Sequence, residues 1–214
     1  MEIFLDIETI PGQSSWIRDY VVSTVTHPGQ MKKPETIKAW EENEKPAAVE
    51  EAISKCSFDG AMNQIICIGV AMNDDKPAVY CGPEVGILSS LWSHVGGIKP
   101  ALNVRLVGHN VAAFDLRVVR QRSVVLGIKP PSWIPFDAKP WEYNLVYDTM
   151  IQWDAKNFTK LDKLAKAFGI EGKSMDGSKV YQMWKEGKHQ EIADYCAKDV
   201  EMVRAVYKRM TYGY

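Results

Sequence analysis

Short apolar runs rich in β-branched residues alternate along this chain with longer stretches whose apolar positions recur every three or four residues, a pattern that predicts strands interleaved with helices. Met1 to Leu5, Gln64 to Ala71 and Ala78 to Cys81 read as strands, the last closed by a turn at Gly82-Pro83. Helical spacing over Val85 to Val95 gives way to a strand from Val104 to Val107 that runs out at Gly108-His109-Asn110. A helix is predicted from about Asp115 to Leu126. After a loop rich in Pro and Trp from Lys129 to Trp141, Leu145 to Tyr147 forms a strand ended by Asp148. Leu161 to Phe168 has helical spacing closed by Gly169. Ile192 to about Met210 is an amphipathic helix whose apolar stripe includes Tyr195, Cys196, Val200, Val203 and Tyr207. Strands first, with helices interleaved or following, predict an α/β layer fold around a mixed sheet.

Pro11 to Gly60 interrupts this plan between the first and second strands. Pro34 and Pro46 stand where short helices can begin, so the segment reads as a largely helical insertion and a candidate substrate lid or partner surface. A length of 214 residues with 46% hydrophobic content supports one large domain, 1-214, carrying that insertion.

Charge narrows the functional classes. A formal net charge of -1 excludes the broad basic field of a non-specific duplex binder, so any nucleic-acid contact is local, as in an enzyme that grips a chain end. There is no basic flank followed by an apolar stretch and a cleavage site, and no apolar run approaches membrane-spanning length; the expected location is the cytoplasm, without membrane contact. Cys56, Cys67, Cys81 and Cys196 lack zinc-ligand or redox spacing and read as free, mostly buried thiols.

Three short segments carry candidate chemistry. Asp6 and Glu8 lie two apart at the end of the first strand, and an extended backbone directs both side chains to one face. Two such carboxylates suit a hard cation, Mg²⁺ or Mn²⁺, although an isolated Asp-x-Glu at a strand end is more often a solvated pair. Asp115 follows Gly108-His109-Asn110-Val111-Ala112-Ala113-Phe114 and begins a helix, where an acid also serves the helix N-terminus electrostatically. Tyr195 and Asp199 share a helix face through their i, i+4 spacing, and that face is apolar. An aspartate aimed into such a stripe is costly unless paired or metal-bound. Asp148 reads as a strand-terminal turn residue or an acid behind the site. Arg117, Arg120 and Arg122, and eight lysines against four acids from Lys156 to Lys188, read as solvated helix faces or phosphate contacts. Trp16 and Trp40 serve packing or base stacking.

In this order the segments resemble the three exonuclease motifs of the DEDD superfamily of DnaQ-like 3′-to-5′ exonucleases, which have a ribonuclease H-like fold. Tyr195-x-x-x-Asp199 matches the tyrosine subclass, as in the proofreading domains of family B DNA polymerases. The likeness extends to Phe4 through Thr9, to Gly108-His109-Asn110 with Phe114-Asp115, and to Leu161 to Gly169 before Gly177-Ser178. The chain looks like the stand-alone, predicted polymerase-B-like exonucleases of phages and bacteria, and if phage-encoded it would act in the host cytoplasm.

The resemblance implies two-metal hydrolysis with two Mg²⁺ or Mn²⁺ ions: Asp6 bridging, Glu8 and Asp199 holding the metal that activates water, and Asp115 supporting the second. Tyr195 would orient the water; an unperturbed phenol, with a pKa of about 10, suits hydrogen bonding better than base catalysis at neutral pH. Thr9, His109, Asn110 and Phe114 are the implied substrate contacts. The substrate expected is single-stranded DNA or the 3′ ends of DNA, with RNA as the alternative. A catalytically silent module that recruits a polymerase or recombination partner is a third reading, against which the complete acid set argues.

Overall fold

The structure, a computed structural model, describes residues 1-98, 103-172 and 175-213. Strands β1 (Glu2–Pro11), β2 (Asn63–Met72), β3 (Ala78–Cys81), β4 (Arg105–Gly108) and β5 (Val146–Asp148) form a sheet in the order β3-β2-β1-β4-β5. β1 and β2 are antiparallel, as are β2 and β3, whereas β4 runs parallel to β1 and β5 parallel to β4. The sheet is therefore mixed, as the alternation of elements predicts.

Helices α4 (Glu84–Gly96) and α5 (Asp115–Val125) belong to one face, where their apolar residues join Ile3, Leu5 and Ile7 of β1 in a common core. On the other face lie α7 (Leu161–Ala167) and α9 (His189–Met210), packed with Phe4, Ala71 and Val107. The division follows the pleat: odd residues of β1 point one way and even residues the other. Two short helices, α6 (Thr149–Trp153) and α8 (Val180–Lys185), were not evident from periodicity; each has fewer than two turns in which to display it. No described helix is long and apolar enough to cross a membrane.

The insertion is helical, with α1 (Ser15–Thr24), α2 (Pro34–Asn43) and α3 (Lys45–Lys55) followed by a 3-10 turn, Cys56–Phe58. Pro34 opens α2 and Pro46 is the second residue of α3, positions where a missing N–H leaves no helical bond unmade. α1 was not foreseen. Ile17 and Val21 of α1 pack on Val49, Ile53 and Cys56, forming a small core separate from those of the sheet. The boundary also moves: β1 continues to Pro11, past a register shift between Glu8 and Thr9, so strand pairing reaches the residue at which the sequence placed the start of the insertion.

Candidate active site

The even face of β1 carries the site. Phe4 packs against α9, and Asp6 and Glu8, two and four residues on, project toward the same helix. From α9, Asp199 completes a cluster: carboxylate oxygens of Asp6, Glu8 and Asp199 all lie within 4.8 Å of one another, with Glu8 and Asp199 buried. Such an approach depends on how closely α9 can lie on the sheet. Gly69 of β2 pairs with Asp6, and a Cβ at Gly69 would meet Val200 Cγ2 at 2.8 Å and Cys196 Sγ at 3.1 Å. The absent side chain at Gly69 therefore lets the Tyr195-Asp199 turn of α9 settle beside β1.

Asp115 enters from α5 on the other face. β4 pairs with β1 only as far as Phe4, so the N–H of Ile7 lies beyond the parallel ladder. The Asp115 carboxylate accepts from that N–H at 3.0 Å. Burial first, and the charge of Asp6 second, raise the Asp115 carboxyl well above the ordinary carboxylate range. The acid thus lies close to Asp6 and is not a conventional helix cap: Phe114 holds the cap position without a side-chain bond.

Asp148 is a clamp. At the end of β5, its carboxylate accepts from the N–H groups of Asn110 (2.8 Å) and Met150 (3.1 Å) through one oxygen and from Ala112 (3.2 Å) through the other. It caps α6 and fixes the loop that delivers Asp115, which is the turn role weighed from sequence. Burial raises its pKa against those stabilising N–H bonds. Asn110 adopts the left-handed conformation (φ 61°) that this tight loop requires, and His109 Nδ1 pairs with the Thr149 hydroxyl at 2.9 Å.

Beside the carboxylates is a cleft of about 390 Å³ lined by Glu8, Thr9, Phe58, Phe114, Gly177 and Tyr181, among others. Two implied substrate contacts, Thr9 and Phe114, line it; His109 and Asn110 lie in the loop fastened by Thr149 and Asp148. Thr9 donates its hydroxyl to the Ser57 carbonyl at 2.8 Å, joining β1 to the insertion. Tyr195 is buried, and a Cβ on Gly177 would lie 3.5 Å from its hydroxyl oxygen, so the phenol reaches the turn that leads into α8. A second hollow on the outer side of Asp199 is lined by Tyr195, Lys198, Met202 and Ile170.

Several sequence candidates have other roles. Arg122 is not on a solvated face: it is buried and paired with Glu84 through two bonds of 2.7 and 2.8 Å. Arg120 binds Asp137, and Arg117 binds the carbonyls of Ala113 and Phe58. Trp40 is buried beside His27, whereas Trp16 is half exposed. The four cysteines are free; Cys81 is exposed and the other three are buried. Sequence reasoning missed Ser57, Phe58 and Tyr181 in the cleft. The Phe58-Asp59-Gly60 run holds the available signal, an aromatic set immediately before a turn.

Oxygen donors this close and this shielded suit a small divalent cation, which would offset the cost of holding several carboxylates together. The mixed sheet in this order, flanked by helices, has the ribonuclease H-like fold of the polymerase B exonuclease. The chain belongs to the family of predicted 3′-5′ exonucleases related to the exonuclease domain of PolB, whose model matches residues 52–213. That span contains Asp115, Tyr195 and Asp199; Asp6 and Glu8 precede it. Among solved structures, the family B DNA polymerase from the hyperthermophilic archaeon Pyrobaculum calidifontis is similar over 98% of this chain, with a TM-score of 0.61 and 14% identity. The chain spans 24% of the length of that polymerase chain. No curated protein matches the sequence. The chain is thus a predicted 3′-5′ exonuclease, of a family whose chemistry implies a divalent metal and a nucleic-acid substrate.

Proposed function

We propose that this protein is a tyrosine-subclass DEDD exonuclease that removes nucleotides from the 3′ ends of DNA, single-stranded or frayed, by a two-metal mechanism. The observation that carries the reading is the meeting of Asp6, Glu8 and Asp199 within 4.8 Å, with Asp115 approaching Asp6 from another helix. Asp6 belongs to the three-carboxylate cluster and is also close enough to Asp115 to act on it electrostatically, so it would be suited to bridge two cations. Glu8 and Asp199 would hold the first, and Asp115 the second. Divalent ions held there would supply electrostatic stabilisation of the attacking and departing oxygens of an in-line displacement. Tyr195 supplies a hydroxyl on the same helix face as Asp199 and would orient the attacking water.

The direct test is release of mononucleotides from a 5′-labelled oligonucleotide with Mg²⁺ or Mn²⁺. Matched DNA and RNA strands in the same assay decide the sugar. Successive shortening of the labelled strand, abolished by Asp199→Ala, is the expected result; undiminished hydrolysis by that variant would overturn the mechanism.

A further inference from the structure

The end of the insertion presents an unusual combination, an exposed aromatic ring on a tightly anchored backbone. Phe58 is 65% exposed, although it follows the buried Cys56 and Ser57. The Ser57 carbonyl accepts from the Thr9 hydroxyl (2.8 Å) and from the Asn63 amide (3.1 Å). The Phe58 carbonyl accepts from Arg117 (3.1 Å), and the Gly60 carbonyl from the buried Arg122 (3.3 Å). Gly60 also allows contact with α5, since a Cβ there would overlap the Gln121 side chain. The turn is consequently held by β1, by the start of β2 and by α5, while the ring it carries faces the cleft and solvent.

The second ring is Phe114, whose centroid lies 6.0 Å from that of Phe58 at an interplanar angle of 57°. One guanidinium sets their spacing, because Arg117 binds both the Phe58 carbonyl and the carbonyl of Ala113, the residue before Phe114. Both rings line the cleft, and the Phe58 ring is accessible from it. Glu8 lines the same cleft, so a base resting on these rings would lie next to the carboxylate cluster.

We propose that Phe58 is a substrate-contacting residue supplied by the insertion: with Phe114 it forms an aromatic step on which bases near the 3′ end of an unpaired strand stack, favouring unpaired over paired ends. This rests on the two-metal exonuclease reading. The physical basis is the π-face common to all bases, which gives stacking that tolerates sequence but requires the base to be free of its duplex neighbours. An anchored ring loses little conformational freedom on binding, which raises what the contact contributes to affinity.

The test compares wild type, Phe58→Ala and Phe58→Trp on a single-stranded oligonucleotide, on a blunt duplex, and on a single strand with abasic sugars at its last two positions. Phe58→Ala should raise KM on the single strand by about tenfold, the scale of one lost base-aromatic stack, with a much smaller change in kcat. The duplex should be less affected, Phe58→Trp should restore the wild-type KM, and on the abasic strand wild type and Phe58→Ala should coincide. Thermal melting of Phe58→Ala close to wild type separates this from a folding defect. An unchanged KM on the single strand, or an equal penalty on the abasic one, would overturn the proposal; the second result would indicate docking of another apolar surface. Wild type that hydrolyses no 3′ end with Mn²⁺ would instead refute the exonuclease reading on which the proposal rests.

Discussion

The Asp115 carboxylate accepts a 3.0 Å hydrogen bond from the backbone N–H of Ile7, at the point where β1 has run beyond its pairing with β4. One contact thereby satisfies an otherwise unpaired strand donor and brings an acid from α5 next to Asp6. The protein positions Asp115 through the backbone between the two acids of the Asp-x-Glu pair.

The electrostatic consequence is a stability that depends on pH and metal. Burial and Asp6 raise the Asp115 carboxyl, so the metal-free folded state retains a proton that the unfolded chain releases above about pH 3.9. The folded state binds more protons, and stability falls as pH rises from there through the folded pKa; Asp148, also raised, adds a slope of the same sign. In EDTA the melting temperature should decline as pH rises above the ordinary aspartate pKa of about 3.9, and Asp115→Asn should flatten that decline. Saturating Mn²⁺ should raise the melting temperature at neutral pH by mass action. Thermal scans across pH, with and without metal, check both; an Asn variant as steep as wild type would contradict the account.

Activity should separate the acids from the phenol. Asp6→Asn, Glu8→Gln and Asp199→Asn each remove a candidate metal ligand, and hydrolysis should drop by at least about 10²-fold to 10³-fold, the scale of losing one preorganised electrostatic contact. Tyr195→Phe keeps the buried ring and removes only the hydroxyl near Gly177; kcat should fall by roughly tenfold to a hundredfold with melting nearly unchanged. Single-turnover kinetics with Mn²⁺ test this ordering, and a Tyr195→Phe loss as severe as that of Asp199→Asn would argue against water orientation as its role.

Gly69 should be intolerant of even one carbon. A methyl group there meets Val200 and Cys196, pushing α9 from β2 and Asp199 from Asp6. Gly69→Ala should destabilise by about 1–3 kcal/mol in urea unfolding, as overpacked cores do, and should weaken metal binding as well. Wild-type Mn²⁺ affinity in the variant would show that the site does not depend on this approach.

The Glu84-Arg122 pair should be asymmetric under mutation. Both side chains are buried, and Glu84 also accepts from the Ile65 N–H at 2.8 Å. Glu84→Ala leaves a buried guanidinium unpaired and should cost about 3–5 kcal/mol. Replacing both partners by apolar residues of similar volume should cost much less, and a double-mutant cycle in denaturant measures the difference.

Much of this was legible in the sequence because strand and helix periodicities are local. The pleat sends Asp6 and Glu8 to one side, and four residues along α9 place Asp199 beneath Tyr195, before any tertiary contact is known. The apolar stripe of α9 also made an aspartate within it conspicuous, and Asp199 is indeed 2% exposed. Those short-range rules sufficed for the mixed α/β sheet and for the order of its principal elements.

What the tertiary structure alone decided depends on distances between segments far apart in the chain, which no spacing encodes. The same Asp-x-Glu could have remained a solvated pair; the approach of α9 over Gly69 is what turns it into a three-carboxylate cluster. Arg122 had the appearance of a surface arginine until Glu84, thirty-eight residues away, was found against it. Phe58 became part of the cleft only because four hydrogen bonds from β1, Asn63 and α5 fasten its turn there. The carboxylate and tyrosine types at fixed local spacing set the chemistry available, and the close packing of helix on sheet decided where it could be used.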